Sequence, residues 1–180
     1  MREINRLPPS VGTDGSYLAR AAAQYKQHFP DADHRAIEAG LKVTRAQVTQ
    51  SAALARFLAS EGFSITLPRH LVLRILHFAG GERLTLNDVR SELGVTSGTV
   101  TALVDGLEQD GLVVRVPHPT DRRAIILELT DKGRVVASAM VESIPRFFET
   151  LFRDFSEDEK KLLIELLDRL YRDIASAFIE

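Results

Sequence analysis

The feature that most constrains the fold of this chain is a change of hydrophobic period at Gly111. Before it, apolar residues recur at the spacing of buried helix faces in three short segments between residues 68 and 110. After it, two runs rich in β-branched residues, 112–116 and 124–129, flank a loop, 117–123, with two prolines and an aspartate. This pattern predicts three short helices followed by a β-hairpin with a long loop.

Local signals for the ends of these helices agree with that order. Thr85 and Asp88 form a Thr-x-x-Asp capping box at the start of the second helix. Gly94 follows that helix, where a left-handed residue ends it, and Thr96 or Ser97 is placed to cap the third. The predicted fold class is therefore mainly α with a small β-hairpin wing, which is a winged helix-turn-helix.

Helices are predicted on both sides of this block. Upstream, a short helix over 16–29 precedes a long helix over 33–61, whose narrow, weakly apolar stripe suits packing against another helix. Downstream, a helix begins after Thr130, and Pro145 is expected to kink or interrupt it. A capping box at Ser156–Glu159 starts a last helix with a wide apolar face.

Composition excludes several classes of function. The 180-residue chain has no cysteine, which excludes disulfides, thiolate metal sites and thiol redox sensing. No apolar run approaches the roughly 20 residues that cross a bilayer, and the N-terminus lacks the apolar core of a signal peptide, so we expect a cytoplasmic protein with no membrane partner. Phosphate-binding glycine loops, zinc-protease motifs and hydrolase motifs are absent, so no enzyme activity, cofactor or metal site is expected.

The outward side of the third helix suits contact with DNA. Its residues are small and hydrogen-bonding, which lets a helix lie close in a major groove about 12 Å wide. They are Ser97, Gly98, Thr99, Thr101, Ala102 and Asp105. Residues 67–134 carry nine basic and nine acidic side chains, and only the edge from Arg115 to Arg123 is locally basic. One copy would therefore bind phosphates weakly, and a symmetric pair would double the contacts.

The stretch 84–134 resembles the MarR-type (multiple antibiotic resistance regulator) transcription factors. The matching pieces are SGTVT at the start of the third helix, the run LVDGLEQDGLVVR into the wing, and Asp121-Arg122-Arg123 followed by Leu129-Thr130-Asp131-Lys132-Gly133. With matching flanking helices, the resemblance extends over roughly residues 35–178.

The resemblance implies a homodimeric regulator that binds double-stranded DNA, with the third helix in a major groove and the wing in a minor groove. By position, Arg123 would enter the minor groove, Asp121 would brace it, and Arg122 would add a phosphate contact. The predicted DNA-binding residues are Ser97, Gly98, Thr99, Thr101, Ala102, Arg115, Asp121, Arg122 and Arg123.

The resemblance also implies regulation by a ligand. Such proteins commonly repress genes and release DNA when a small, often aromatic or phenolic, effector binds between the dimer helices and the DNA-binding lobe. The candidate pocket residues are Phe57, Leu58, His70, Arg74 and His77. The chain has neither cysteine nor tryptophan, so the triggers of peroxide-sensing and urate-responsive members do not carry over.

Four regions are predicted on this basis. They are a flexible arm (1–14), N-terminal dimerisation helices (15–66), a winged lobe (67–134) and C-terminal dimerisation helices (135–180).

Two other functions stay open. The neutral charge of the winged lobe also fits a module that binds proteins and never touches DNA, and the fold would also serve a small-molecule-binding protein without a regulatory role.

Overall fold

The computed structural model describes residues 16–121 and 123–178. The described elements, in chain order, are α1 (Ser16–His28), α2 (His34–Ser60), α3 (Leu67–Phe78), β1 (Leu84–Thr85), α4 (Leu86–Leu93), α5 (Ser97–Gln109), β2 (Val113–Pro117), β3 (Ile125–Leu129), α6 (Asp131–Leu151) and α7 (Glu157–Phe178). The predicted fold class is confirmed, since the chain is mainly helical with a small antiparallel sheet. The predicted arm 1–14 and Arg122 lie outside the described residues.

The described residues fall into two compact units that divide between Arg56 and Phe57. The first unit contains α1 and most of α2, which begins after Asp33 because that carboxylate accepts hydrogen bonds from the amides of residues 35–36 at 3.0 Å. Part of the predicted stripe on α2 faces solvent in the single chain, with Val48 49% exposed. The second unit contains the end of α2 and all later elements.

The winged lobe closes around its own core. The capping box predicted at Thr85 and Asp88 is present, and Thr96 caps α5 by accepting a hydrogen bond from the amide of Thr99. These caps aim the apolar stripes of α3, α4 and α5 toward one another and toward the hairpin. The fully buried side chains of the lobe include Val72, Leu73, Val89, Val100, Val104, Leu107, Val113 and Ile126.

The sheet contains one strand more than the sequence predicts. Strands β2 and β3 form the expected antiparallel hairpin, with Val113 opposite Leu129 and Pro117 opposite Ile125. Strand β1 adds to the other side of β3, so the order is β1-β3-β2. Because β1 has only two residues and runs directly into α4, it is too short to show the alternation that marks a strand.

The start of α6 is clamped onto the turn between α5 and β2. The hydroxyl of Thr130 donates to the carbonyl of Gly111 at 2.7 Å, and its amide donates to the carbonyl of Leu112 at 3.1 Å. Gly133 is buried against the same turn, where a Cβ would lie 1.9 Å from the Leu112 carbonyl oxygen. The Thr-Asp-Lys-Gly segment that contributes to the family resemblance therefore has a structural role, fixing the base of the wing on α6.

The last two helices differ in their burial. α6 continues through Pro145 to Leu151, so the predicted interruption does not occur, and it buries Ala137, Met140 and Phe147. α7 starts at the predicted capping box, in which the Ser156 and Glu159 side chains each bond to the other residue's backbone amide. None of its described side chains is buried.

Candidate nucleic-acid interface

The N-terminal half of α5 presents an open, hydroxyl-bearing surface. Ser97, Gly98, Thr99 and Ala102 are exposed, and Thr101 is half-buried. The hydroxyls of Thr96 and Thr99 lie 2.9 Å apart, and the Thr101 hydroxyl donates to the carbonyl of Ser97 at 2.8 Å. A Cβ at Gly98 would meet nothing within 4 Å. Another surface could thus come close to the helix backbone, as binding in a major groove requires.

Three acidic residues lie in the C-terminal half of α5 and at Asp110, the residue that follows it, and each is paired with an arginine. Arg115, on β2, donates to Asp105 at 2.6 Å and also to Glu108. Arg69, on α3, donates to Asp110 at 2.9 Å. Three of the nine carboxylates of the lobe are thus offset by arginines at the end of α5 remote from its small, hydroxyl-bearing residues.

Arg115 has a different environment from the one its place in the sequence suggests. Its side chain is only 27% exposed, and two carboxylates of α5 engage its guanidinium. A bond from Arg115 to a DNA phosphate would have to add to these two ion pairs or replace one. The visible effect of Arg115 in this structure is to tie the wing to α5.

The loop of the wing is held by hydrogen bonds from its backbone amides to acceptors within the loop. The ring nitrogen Nδ1 of His118 accepts from the amide of Asp121 at 3.1 Å, and the amide of Ala124 donates to the Asp121 carbonyl at 3.1 Å. The Asp121 carboxylate accepts from the backbone amide of Arg123 at 2.9 Å. This carboxylate therefore shapes the turn that presents Arg123, whose side chain is exposed, and its recorded bond is to the backbone rather than to the guanidinium.

The five predicted pocket residues differ in their exposure to solvent. Leu58 and His70 are buried, Phe57 and His77 are half-buried, and Arg74 is exposed. Arg74 borders a surface cavity of about 450 Å³ between α3 and α4, whose lining contains none of the other four. Phe57 instead packs on the ring of Phe147 at 5.5 Å, beneath the guanidinium of Arg146.

His70 has the most unusual environment of the five. Its side chain is 1% exposed, and Nδ1 is buried without a hydrogen-bond partner. Burial, with a smaller contribution from the nearby Arg74 charge, lowers the pKa of His70 below its usual value. The imidazole is therefore held in its neutral form inside the lobe.

α7 leaves a broad apolar surface exposed. Seven of its large apolar side chains are 37% to 71% exposed in the single chain. They are Leu162, Ile164, Leu166, Leu167, Leu170, Tyr171 and Ile174. Contiguous apolar surface of this kind marks an interaction site.

Within the described ranges, no helix has the length and apolarity needed to span a membrane. The same ranges contain no group of three or more histidine, aspartate or glutamate side chains arranged to hold a metal ion.

Sequence reasoning missed the part of the site that orients α5. Arg69, Gly106, Glu108 and Asp110 were not among the predicted residues, and Asp105 was placed on the outward side of the helix without its partner Arg115. One signal was available, because Gly106 interrupts a predicted helix at an inner position and such glycines usually have a packing reason.

Residues 63–124 match the profile of the MarR family. The regulator BilQ of Clostridioides difficile is 30% identical over 114 residues, which cover 63% of this chain and 76% of that protein. Two solved structures have the same fold. The repressor CouR bound to a 23-mer DNA duplex is 27% identical with a TM-score of 0.65, covering 73% of this chain and 91% of that one. The DNA complex of MepR from S. aureus is 25% identical with a TM-score of 0.66, covering 74% and 95%.

Proposed function

This chain is a transcriptional regulator of the MarR family, and we propose that it binds a pseudo-palindromic operator as a homodimer, represses transcription there, and is released by a small aromatic or phenolic ligand. The observation that carries the DNA-binding proposal is the difference between the two halves of α5. Its exposed N-terminal half carries only small and hydroxyl side chains, and the acidic residues at and just after its C-terminal half are paired with arginines. The solved DNA complexes of CouR and MepR support the same assignment.

In this proposal, α5 contacts base edges and phosphates in the major groove through Ser97, Thr99 and Thr101. Gly98 and Ala102 allow the helix backbone to approach. Short hydroxyl side chains bond to either kind of group, and the free amides at a helix N-terminus suit a phosphate.

The wing supplies the second contact in the proposal. Arg123 is exposed at the end of the β2–β3 hairpin, on a turn shaped by the Asp121 carboxylate. A guanidinium on such a turn suits a narrow minor groove, where the negative potential is enhanced. Arg122 is proposed to contact a neighbouring phosphate.

The exposed apolar side chains of α7 support the homodimer. Seven large apolar residues on one helix need a covering surface, and a second copy supplies the same surface in a twofold arrangement. Two lobes related in this way would read half-sites about one helical turn, or ~34 Å, apart. A dimer also compensates for the modest charge of each lobe.

The proposed effector would act where the dimer helices meet the lobe. The buried, neutral His70 and the half-buried Phe57 and His77 are the described groups that offer polar and aromatic contacts to such a ligand. We keep the five predicted pocket residues as candidates for its binding site.

The test measures binding of the full-length protein to the DNA upstream of its own gene by fluorescence anisotropy over a range of salt concentrations. We expect sequence-specific binding, and Arg123→Ala is expected to weaken it and reduce the salt slope by about one. Arg172→Ala is the matched control, because it removes one exposed arginine from α7, outside the lobe. Equal affinity for unrelated DNA would instead favour the winged-helix module that binds proteins. If Arg123→Ala left the salt dependence of binding unchanged, the proposed role of the wing would be wrong, but DNA binding by α5 would not be contradicted.

A further inference from the structure

The most unusual residue of α5 is Gly106. It is buried in the middle of the helix, and its φ is not among the positive values found at five other glycines. Glycine in a helix interior is less favourable than alanine by about fivefold in the helix equilibrium. The backbone conformation does not require a glycine here, so the reason lies in the space beside it.

That space is filled by the guanidinium of Arg69. A Cβ at position 106 would lie 1.8 Å from Nη2 of Arg69 and 2.4 Å from its Cζ. The planar group therefore lies against the bare backbone of α5, in a slot that exists only because Gly106 has no side chain. From this slot, Nη1 donates to the carboxylate of Asp110 at 2.9 Å.

This arrangement does little for stability. The side chains of Arg69 and Asp110 are 32% and 49% exposed, and an ion pair exposed to this extent changes the folding equilibrium by about fivefold at most. That gain only offsets the helix preference lost at Gly106. What the arrangement does provide is geometry, because a rigid planar group joins α3 to α5 at one fixed separation and angle.

We propose that Arg69 is a positioning residue for operator recognition: seated on Gly106 and bound to Asp110, it sets the angle at which α5 presents its N-terminal half to DNA. The proposal rests on the proposed DNA-binding function. Because Gly106 is several residues from the start of α5, a tilt of about 10° there would move the first turn of the helix by ~2 Å. A shift of that size removes hydrogen bonds whose lengths span only about 0.5 Å.

Arg69 has a counterpart on the other side of the helix. Arg115 holds Asp105 and Glu108 from β2, so α5 is attached to the wing by one arginine and to α3 by the other. The contact with α3 is the one that requires a glycine in the recognition helix. Changing that glycine therefore tests Arg69 without altering Arg115 or any proposed DNA contact.

The experiment uses three full-length variants: Gly106→Ala, Arg69→Met and the two combined. An operator is first selected with the wild-type protein, and affinity is then measured for this operator and for an unrelated duplex of equal length. Circular dichroism and sedimentation verify the fold and the oligomeric state. Gly40→Ala is the control, because it changes a glycine inside α2 whose Cβ position has nothing within 4 Å.

We expect each single variant to lower the ratio of specific to non-specific affinity about tenfold, which corresponds to the loss of one good base contact. For Gly106→Ala, which keeps every charge, non-specific affinity should stay within about twofold, because the phosphate contacts depend on charge and not on the tilt of α5. The combined variant should be no worse than either single variant, since both remove the same interaction. Arg69→Lys, which keeps the charge without the planar fork, should fall between wild type and Arg69→Met.

A folded Gly106→Ala variant with the wild-type specificity ratio would overturn the proposal. If Gly106→Ala does not fold, Arg69→Met decides, since it leaves the slot empty and adds no steric conflict. Additive losses in the combined variant would also count against a shared interaction. A wild-type protein that selects no operator would instead refute the proposed function, and that result does not depend on any variant.

Discussion

The winged lobe and α7 use apolar residues in opposite ways. In the lobe, the apolar side chains that point inward from α3, α4 and α5 are fully buried, among them Val72, Leu73, Val89, Val104 and Leu107. On α7, none of the described side chains is buried, and large residues such as Leu166 remain 55% exposed. The lobe therefore completes its own core, whereas α7 leaves its apolar face for another surface to cover.

The two regions nevertheless start their helices with the same device. Thr85 with Asp88 caps α4, and Ser156 with Glu159 caps α7. In each pair, the hydrogen bond from the backbone amide of the capping residue, followed by the bond from its hydroxyl, lowers the pKa of the carboxyl group. The start of a helix is thus set locally, and the surface that later covers the helix depends on the rest of the fold or on a partner.

The largest effect is expected where the lobe is packed most tightly. Gly133→Ala would place a methyl group 1.9 Å from the carbonyl oxygen of Leu112, a backbone atom that cannot move without disturbing the start of β2. We expect a loss of about 3 kcal/mol or more in the free energy of unfolding, measured by urea denaturation. Gly40→Ala should leave the stability unchanged or slightly higher. Equal midpoints for Gly133→Ala and wild type would show that the lobe is more loosely packed than described.

The second prediction tests whether α7 depends on a partner. Leu166→Glu combined with Leu170→Glu places two carboxylates on its apolar face, and we expect a monomer by sedimentation velocity with the lobe still folded. Operator affinity should fall about 100-fold or more, because the two half-sites are no longer bound by one linked pair. Arg172→Glu, nearly opposite Leu170 on the helix, should leave the dimer intact. A dimer that survives the double substitution would place the interface elsewhere.

The contrast also explains which features could be predicted from the sequence. Features that depend on neighbouring residues could be predicted. They are the capped beginnings of helices at Thr85 and Ser156, the hairpin, and the break at Gly111. The winged helix-turn-helix followed from their order, and the wing loop from its prolines and aspartate.

The interactions that orient α5 could not be predicted in this way. The pairing of Arg69 with Asp110 joins residues 41 positions apart, and its slot at Gly106 depends on how α3 crosses α5. Arg115 was grouped with the DNA contacts because sequence position shows its charge and not its two carboxylate partners. Helical spacing likewise does not show which faces of different helices meet.

The smallest expected effect concerns the one charged or titratable side chain that the described lobe encloses almost completely, His70. Its lowered pKa, caused mainly by burial and secondly by Arg74, means that the unfolded chain binds a proton at a pH where the folded lobe does not. Stability is therefore complete above the ordinary histidine value of 6.5 and falls as the pH decreases below it, down to the folded-state pKa. His70→Phe should remove this loss of stability at low pH. Measured by urea denaturation at a series of pH values, the free energy of unfolding of the variant should rise relative to that of wild type as the pH falls. His77 is on the same helix but only half-buried, so His77→Phe should still lose stability as the pH falls. Parallel curves for wild type and His70→Phe would contradict the burial of a neutral imidazole, and with it the description of the lobe as closed.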